Sequence, residues 1–120
     1  MNVARVPTFA GCLKADLKAL SATADLVDLP EGTVLGIGQD LARWWWMPVT
    51  GWLLLTCGAE QARTIPSGWS WMACDHSPGQ DARLTALHGS RVLTAPLPRL
   101  RGALDEHPRL AEAIRATLVA

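Results

Sequence analysis

A mainly β domain framed by helices is predicted for this chain by the punctuation of its middle and the periodicity of its ends. Between residues 33 and 94, short runs rich in Val, Ile, Leu, Thr and Trp are separated by turn residues roughly every eight to twelve positions. Apolar residues at helical spacing recur before and after that stretch. A chain of 120 residues suits one hydrophobic core and is short for two, so residues 1–120 are expected to form a single domain.

The N-terminal helical segment is predicted over residues 9–26, where Phe9, Leu13, Leu17 and Leu20 share one face and Lys14, Asp16 and Lys18 lie between them. Asp28-Leu29-Pro30-Glu31-Gly32 closes it, because proline and glycine favour a turn into extended chain. The β section spans 30–95, with strands predicted at 33–37, 44–47, 51–56, 62–65, 69–73, 83–87 and 90–94. Turns fall at Gly36-Ile37-Gly38, Thr50-Gly51, Cys57-Gly58-Ala59, Pro66-Ser67-Gly68, Ser77-Pro78-Gly79 and His88-Gly89. Beyond Pro96 the helical period returns with Leu97, Leu100 and Leu104, breaks at His107-Pro108, and resumes with Leu110, Ile114 and Leu118. Pro98 and Pro108 suit first-turn positions, so two helices are predicted at about 98–106 and 108–119.

Composition excludes several classes. Hydrophobic residues make up 49% of the chain and charged ones 18%, with zero formal net charge, which is a composition that packs. Residues 1–60 carry four basic and six acidic side chains, and residues 61–120 seven basic and five acidic, so neither half is the concentrated basic face that nucleic acid requires. The longest apolar stretches, around 44–47 and 52–55, fall far below the roughly 20 residues that span a bilayer, so no membrane partner is expected. Lys14, Asp16 and Lys18 interrupt any secretory apolar region. Cys12, Cys57 and Cys74 are odd in number and form no C-x-x-C pair, the pattern of reduced thiols in a cytoplasmic protein.

The six tryptophans, against one phenylalanine and no tyrosine, are the most unusual feature. Strand alternation sends Trp45 to one face and Trp44 with Trp46 to the other, and Trp52, Trp69 and Trp71 lie on neighbouring strands that can converge with either set. The grouping fits core packing, and equally an aromatic-lined pocket or protein contact. Cys74-Asp75-His76, with Cys57 or His88, sketches a metal or nucleophile site, but His76, His88 and His107 are isolated and no oxyanion motif accompanies them. Arg99, Arg101, Arg109 and Arg115 share helices with Asp105, Glu106 and Glu112 and read as a solvated face. The stripe Leu110, Ile114 and Leu118 either packs on the β section or forms a homodimer seam.

Several local patterns, in order, resemble the cyclic-nucleotide-binding domain of catabolite activator and kinase regulatory proteins. Leu29-Pro30-Glu31-Gly32-Thr33-Val34-Leu35 is similar to that family's opening strand, Gly38-Gln39-Asp40 to its acidic turn, and Thr50-Gly51 to the start of its third strand. Ile65-Pro66-Ser67-Gly68 is similar to the turn before its phosphate-binding cassette. The stretch from Leu84 to Leu93 is similar to its last two strands, and the stretch from Leu97 to Leu118, with Glu106-His107-Pro108 in the middle, resembles its closing helix pair. The resemblance implies a jelly-roll β-roll, a double-stranded β-helix, with one helical segment before it and two helices after. It also implies a ligand inside the roll, held by a Gly-Glu pair and, some ten residues on, an arginine with a small neighbour.

Alignment on Gly68 and Ala86 puts Ser70-Trp71 at the Gly-Glu pair and Gln80-Asp81 at the arginine and its neighbour. An amide cannot offset a phosphate and an aspartate repels it. Arg83 is the nearby cation, and it replaces the missing arginine only through a bulge or register shift.

The expected function is therefore a non-catalytic regulatory or sensory module, degenerate for cAMP and cGMP. It acts through a protein partner or an apolar or aromatic small molecule, without cofactor or metal. Candidate ligand residues are Trp46, Trp52, Trp69, Ser70, Trp71, Gln80, Asp81 and Arg83. The alternatives are a nucleotide sensor using Arg83, and a small cupin-like metal enzyme. About three turns follow Pro108, so no helix-turn-helix DNA reader is expected.

Overall fold

The computed structural model describes residues 9, 11–58, 61–73 and 81–119. Helix α1 (Lys14–Thr23) opens the described fold, and its first turn is closed by Asp16, whose Oδ2 accepts the Leu13 N–H at 2.9 Å. Strands β1 (Asp25–Leu29) and β2 (Val34–Ile37) follow, then a 3₁₀ turn over Gly38–Arg43. Next come β3 (Trp44–Thr50), β4 (Trp52–Cys57), β5 (Gln61–Pro66), β6 (Trp71–Met72), β7 (Ala82–Ala86) and β8 (Ser90–Pro96). Helices α2 (Leu97–Glu106) and α3 (Pro108–Thr117) complete it, each with proline in its first turn.

The strands form two antiparallel sheets, ordered β1-β8-β3-β6 and β2-β7-β4-β5. Alternation gives the first sheet two covered faces. One carries Trp45, Met47, Leu93 and Ala95, which pack with Leu20, Leu97, Leu100, Leu110 and Ile114 of the helices. The other carries Trp46 and Val92, which meet Leu53, Leu55, Ile65 and Leu84 of the second sheet. A helix layer, a middle sheet and an outer sheet result, with the roll interior between the two sheets.

Three sequence expectations change. The helix predicted through residue 26 ends at Thr23, and residues 25–29 are an edge strand that pairs with β8 from Asp25↔Thr94 to Leu29↔Ser90. Leu26 packs toward the helices, whereas Val27 and Leu29 pack toward the roll. A strand covered on both faces shows no clean two-residue period, so the sequence gives little sign of it. The strand expected from 33 to 37, and the opening strand of the resemblance, begin only at Val34, after a turn in which Gly32 takes φ 84°. The strand expected at 69–73 shrinks to Trp71–Met72.

The turn at Thr50-Gly51 holds as expected. Gly51 has φ 79°, and a Cβ there would collide with the Ser90 side chain, so both backbone conformation and space call for glycine.

Candidate ligand site in the roll

Strand β3 buries two of its three consecutive indoles, one on each face. Trp45 is fully buried against the helices, and Trp46, 4% exposed, faces the second sheet. Trp71 on β6 is the cross-strand partner of Trp46, and their rings stack with centroids 6.0 Å apart and planes 17° from parallel. Half-buried Trp71 packs on the same cluster as Trp46. The interior beside β6 is thus occupied by two indoles belonging to the protein itself.

The other candidate residues do not join this pair. Trp52, 42% exposed, and Trp69, 47% exposed, lie at the surface, Trp52 opposite Pro66 at the start of β4 and Trp69 in the turn before β6. Ser70 is fully buried but turned to the C-terminal helix. Its Oγ lies 2.7 Å from Thr117 Oγ1, its N–H donates to the Thr117 carbonyl at 2.8 Å, and its carbonyl accepts the Val119 N–H at 2.9 Å.

Arg83 is exposed between buried Ala82 and Leu84, so its side chain leaves the outer face of the second sheet. The pairing of β7 with β4 runs without a register shift from Leu53↔Ala86 to Cys57↔Ala82, and the shift in its pairing with β2 places the extra residue on β2, at Leu35, so β7 itself is not bulged and Arg83 stays turned outward. Asp81 is exposed, and Gln80 lies outside the described residues.

Leu110 and Ile114 are buried in the core beneath the helices, and Leu118 is partly buried against it. This places the stripe inside the chain's own packing. Cys74-Asp75-His76 lies outside the described residues, and among the described ones no cluster of three His, Cys, Asp or Glu side chains could hold a metal. Burial pushes the Cys12 thiol above its ordinary value, helped by Asp16 and opposed by Arg109. It therefore stays protonated at neutral pH. No helix among the described residues is long and apolar enough to cross a membrane.

Between the two sheets the interior opens as a cleft of about 310 Å³, lined by residues of β1, β2 and β3 and by Thr94 of β8, which lies between β1 and β3. Val27, Leu29, Val34 and Leu35 form two walls, and Trp44 and Trp46 form a third. Sequence reasoning finds Trp46 but misses Trp44, Thr94 and the β1 and β2 residues: β1 is not legible, and the strand predicted at 33–37 carries no sign of which sheet edge it lines.

Two stacked antiparallel sheets, one helix before them and two after, make this the β-roll fold of cyclic-nucleotide-binding domains. Among solved structures, the chain is similar to the sensor domain of the transcriptional regulator DNR from Pseudomonas aeruginosa, at 20% identity over 91% of this chain and 83% of that one, with a TM-score of 0.69. It is similar also to the N-terminal domain of a transcriptional regulator from Streptomyces coelicolor (22% identity, 94% and 83% covered, TM-score 0.61). A cyclic nucleotide-binding-like protein from Brucella abortus matches at 21% identity, 86% and 94% coverage and a TM-score of 0.59. No family model matches the chain, and no curated protein matches it in sequence.

Proposed function

We propose that this chain is a non-catalytic regulatory module that uses the β-roll of cyclic-nucleotide-binding domains without binding cAMP or cGMP. The observation that carries the reading is the Trp46–Trp71 stack. A cyclic nucleotide needs a cation and hydrogen-bond donors for its phosphate and a carboxylate for its ribose. Here the position that resembles the family's glutamate is an indole packed on a second indole, and the nearby arginine, Arg83, points out of the roll. Similarity to the sensor domain of one transcriptional regulator and the N-terminal domain of another supports a sensory role.

The output surface fits this role. Ser70, next to Trp71, is tied by three hydrogen bonds to Thr117 and Val119 at the end of α3, so a shift of the indole pair reaches the C-terminal helix through one residue. Isothermal calorimetry of the full chain at high concentration with cAMP and cGMP tests the proposal. No saturable heat is expected, and one-to-one binding of either nucleotide would overturn it.

A further inference from the structure

We infer that the cleft between β1, β2 and β3 is a binding site for an uncharged, flat aromatic molecule that carries a single hydrogen-bonding group. The inference rests on the reading of the chain as a sensor of something other than a nucleotide, and it gives that ligand a place and a chemistry. The cleft borders the Trp46–Trp71 stack through the Trp46 indole, and its other walls come from β1, β2, Trp44 and Thr94, with nothing from β6 or β5.

Three features define the ligand. No charged side chain lines the cleft among the described residues, so an anion or cation would enter without a counter-charge and lose its hydration. The Trp44 and Trp46 indoles form one wall, and Trp44 (38% exposed) and Val34 (41% exposed) leave apolar surface open at the mouth, an arrangement suited to stacking a planar ring. Two hydroxyls complete the lining. Thr33 Oγ1 is committed to the Pro30 carbonyl at 2.7 Å. Thr94 Oγ1 is shut off from water and has no hydrogen-bond partner.

A buried hydroxyl without a partner is destabilising, and it marks a place where a partner can be gained. A rotation of Thr94 by about 120° around χ1 carries its hydroxyl to another staggered position, which we take to open on the cleft that Thr94 lines. A ligand with one donor or acceptor then supplies what the fold leaves unmet. The other orphaned side-chain atom among the described residues, Trp45 Nε1, belongs to the helix-facing side of β3 and plays no part here.

The test uses ¹⁵N-labelled full chain titrated with 1-naphthol and with 1-methylnaphthalene, which lacks a hydrogen-bonding group. Saturable shifts are expected at the Trp44 and Trp46 indole N–H and at the Thr94 amide for both probes. Thr94→Val, which removes an unsatisfied group and so keeps the fold, is expected to weaken 1-naphthol about five- to tenfold and to leave 1-methylnaphthalene unchanged. Val34→Trp, at the exposed mouth, is expected to abolish both. Shifts confined to the surface residues Trp52 and Trp69, the absence of saturation, or equal 1-naphthol affinity in Thr94→Val and the parent chain would each overturn the inference. Those outcomes leave the non-nucleotide reading standing, because that reading falls only if cAMP or cGMP binds.

Discussion

Truncation of Trp71 is the sharpest perturbation of the roll interior. A fully buried tryptophan costs about 3–5 kcal/mol when cut to alanine. Trp71 is only half-buried, so its area and cavity contribution falls to about 1–2 kcal/mol, and loss of the stack on Trp46 adds about 0.5–1.5 kcal/mol. Trp71→Ala is therefore expected to destabilise the chain by about 2–3 kcal/mol, which for a domain of this size lowers Tm by roughly 8–15 °C. The control is Trp69→Ala, two residues earlier and 47% exposed, whose expected cost is under about 1 kcal/mol. Urea and thermal denaturation followed by far-ultraviolet circular dichroism read both variants. Equal costs for the two would refute the reasoning, since they would mean that Trp71 does not belong to the roll core.

Three further expectations follow from other parts of the fold. Ser70→Ala and Thr117→Val, combined in a double-mutant cycle, should reveal a coupling of about 1 kcal/mol from the buried hydroxyl pair, and a coupling near zero in urea denaturation would remove the proposed link between Trp71 and α3. Gly51→Ala forces an L-residue into left-handed backbone against Ser90, so thermal melts should show a loss of at least about 1–2 kcal/mol, and an unchanged Tm would contradict the turn geometry. The Cys12 thiol, held above its ordinary value by burial, contributes stability that is complete at neutral pH and is lost as pH rises through its folded value. Mass spectrometry after iodoacetamide treatment should find Cys12 alkylated more slowly than exposed Cys57 at neutral and mildly alkaline pH, with the reverse order counting against its burial.

Much of the architecture is legible in the sequence because turn chemistry is local. Gly51 and Gly58 both take positive φ next to the strands that their turns predict, and Pro98 and Pro108 stand in the first turns of α2 and α3. The division of Trp44-Trp45-Trp46 between two faces follows from alternation alone, and Trp45 lies on the opposite face from Trp46. Strand β1 was hidden for a physical reason. It starts two residues after α1, and its apolar residues serve two layers at once, which erases the alternation that would mark it.

The candidate site was half legible for a related reason. Trp46 sits on a seven-residue strand whose face is determined, whereas β6 has two residues, too few for a period to tell Trp71 from exposed Trp69. The family resemblance puts Ser70 among the ligand residues, but its hydroxyl pairs with Thr117, 47 positions away, which no local pattern announces. The lone hydroxyl of Thr94 is a tertiary fact of the same kind, visible only once β1, β2 and β3 enclose it.

Whether the indole pair keeps the roll closed to nucleotides can be read from the tryptophan side chains themselves. In two-dimensional ¹H–¹⁵N spectra of the full chain, with the Trp46 and Trp71 indole resonances assigned by substitution, a nuclear Overhauser contact between the two rings should persist at saturating cAMP concentrations with neither signal shifted. Loss of that contact together with a saturable shift of the Trp71 indole would show a nucleotide entering the roll and would contradict the proposed function.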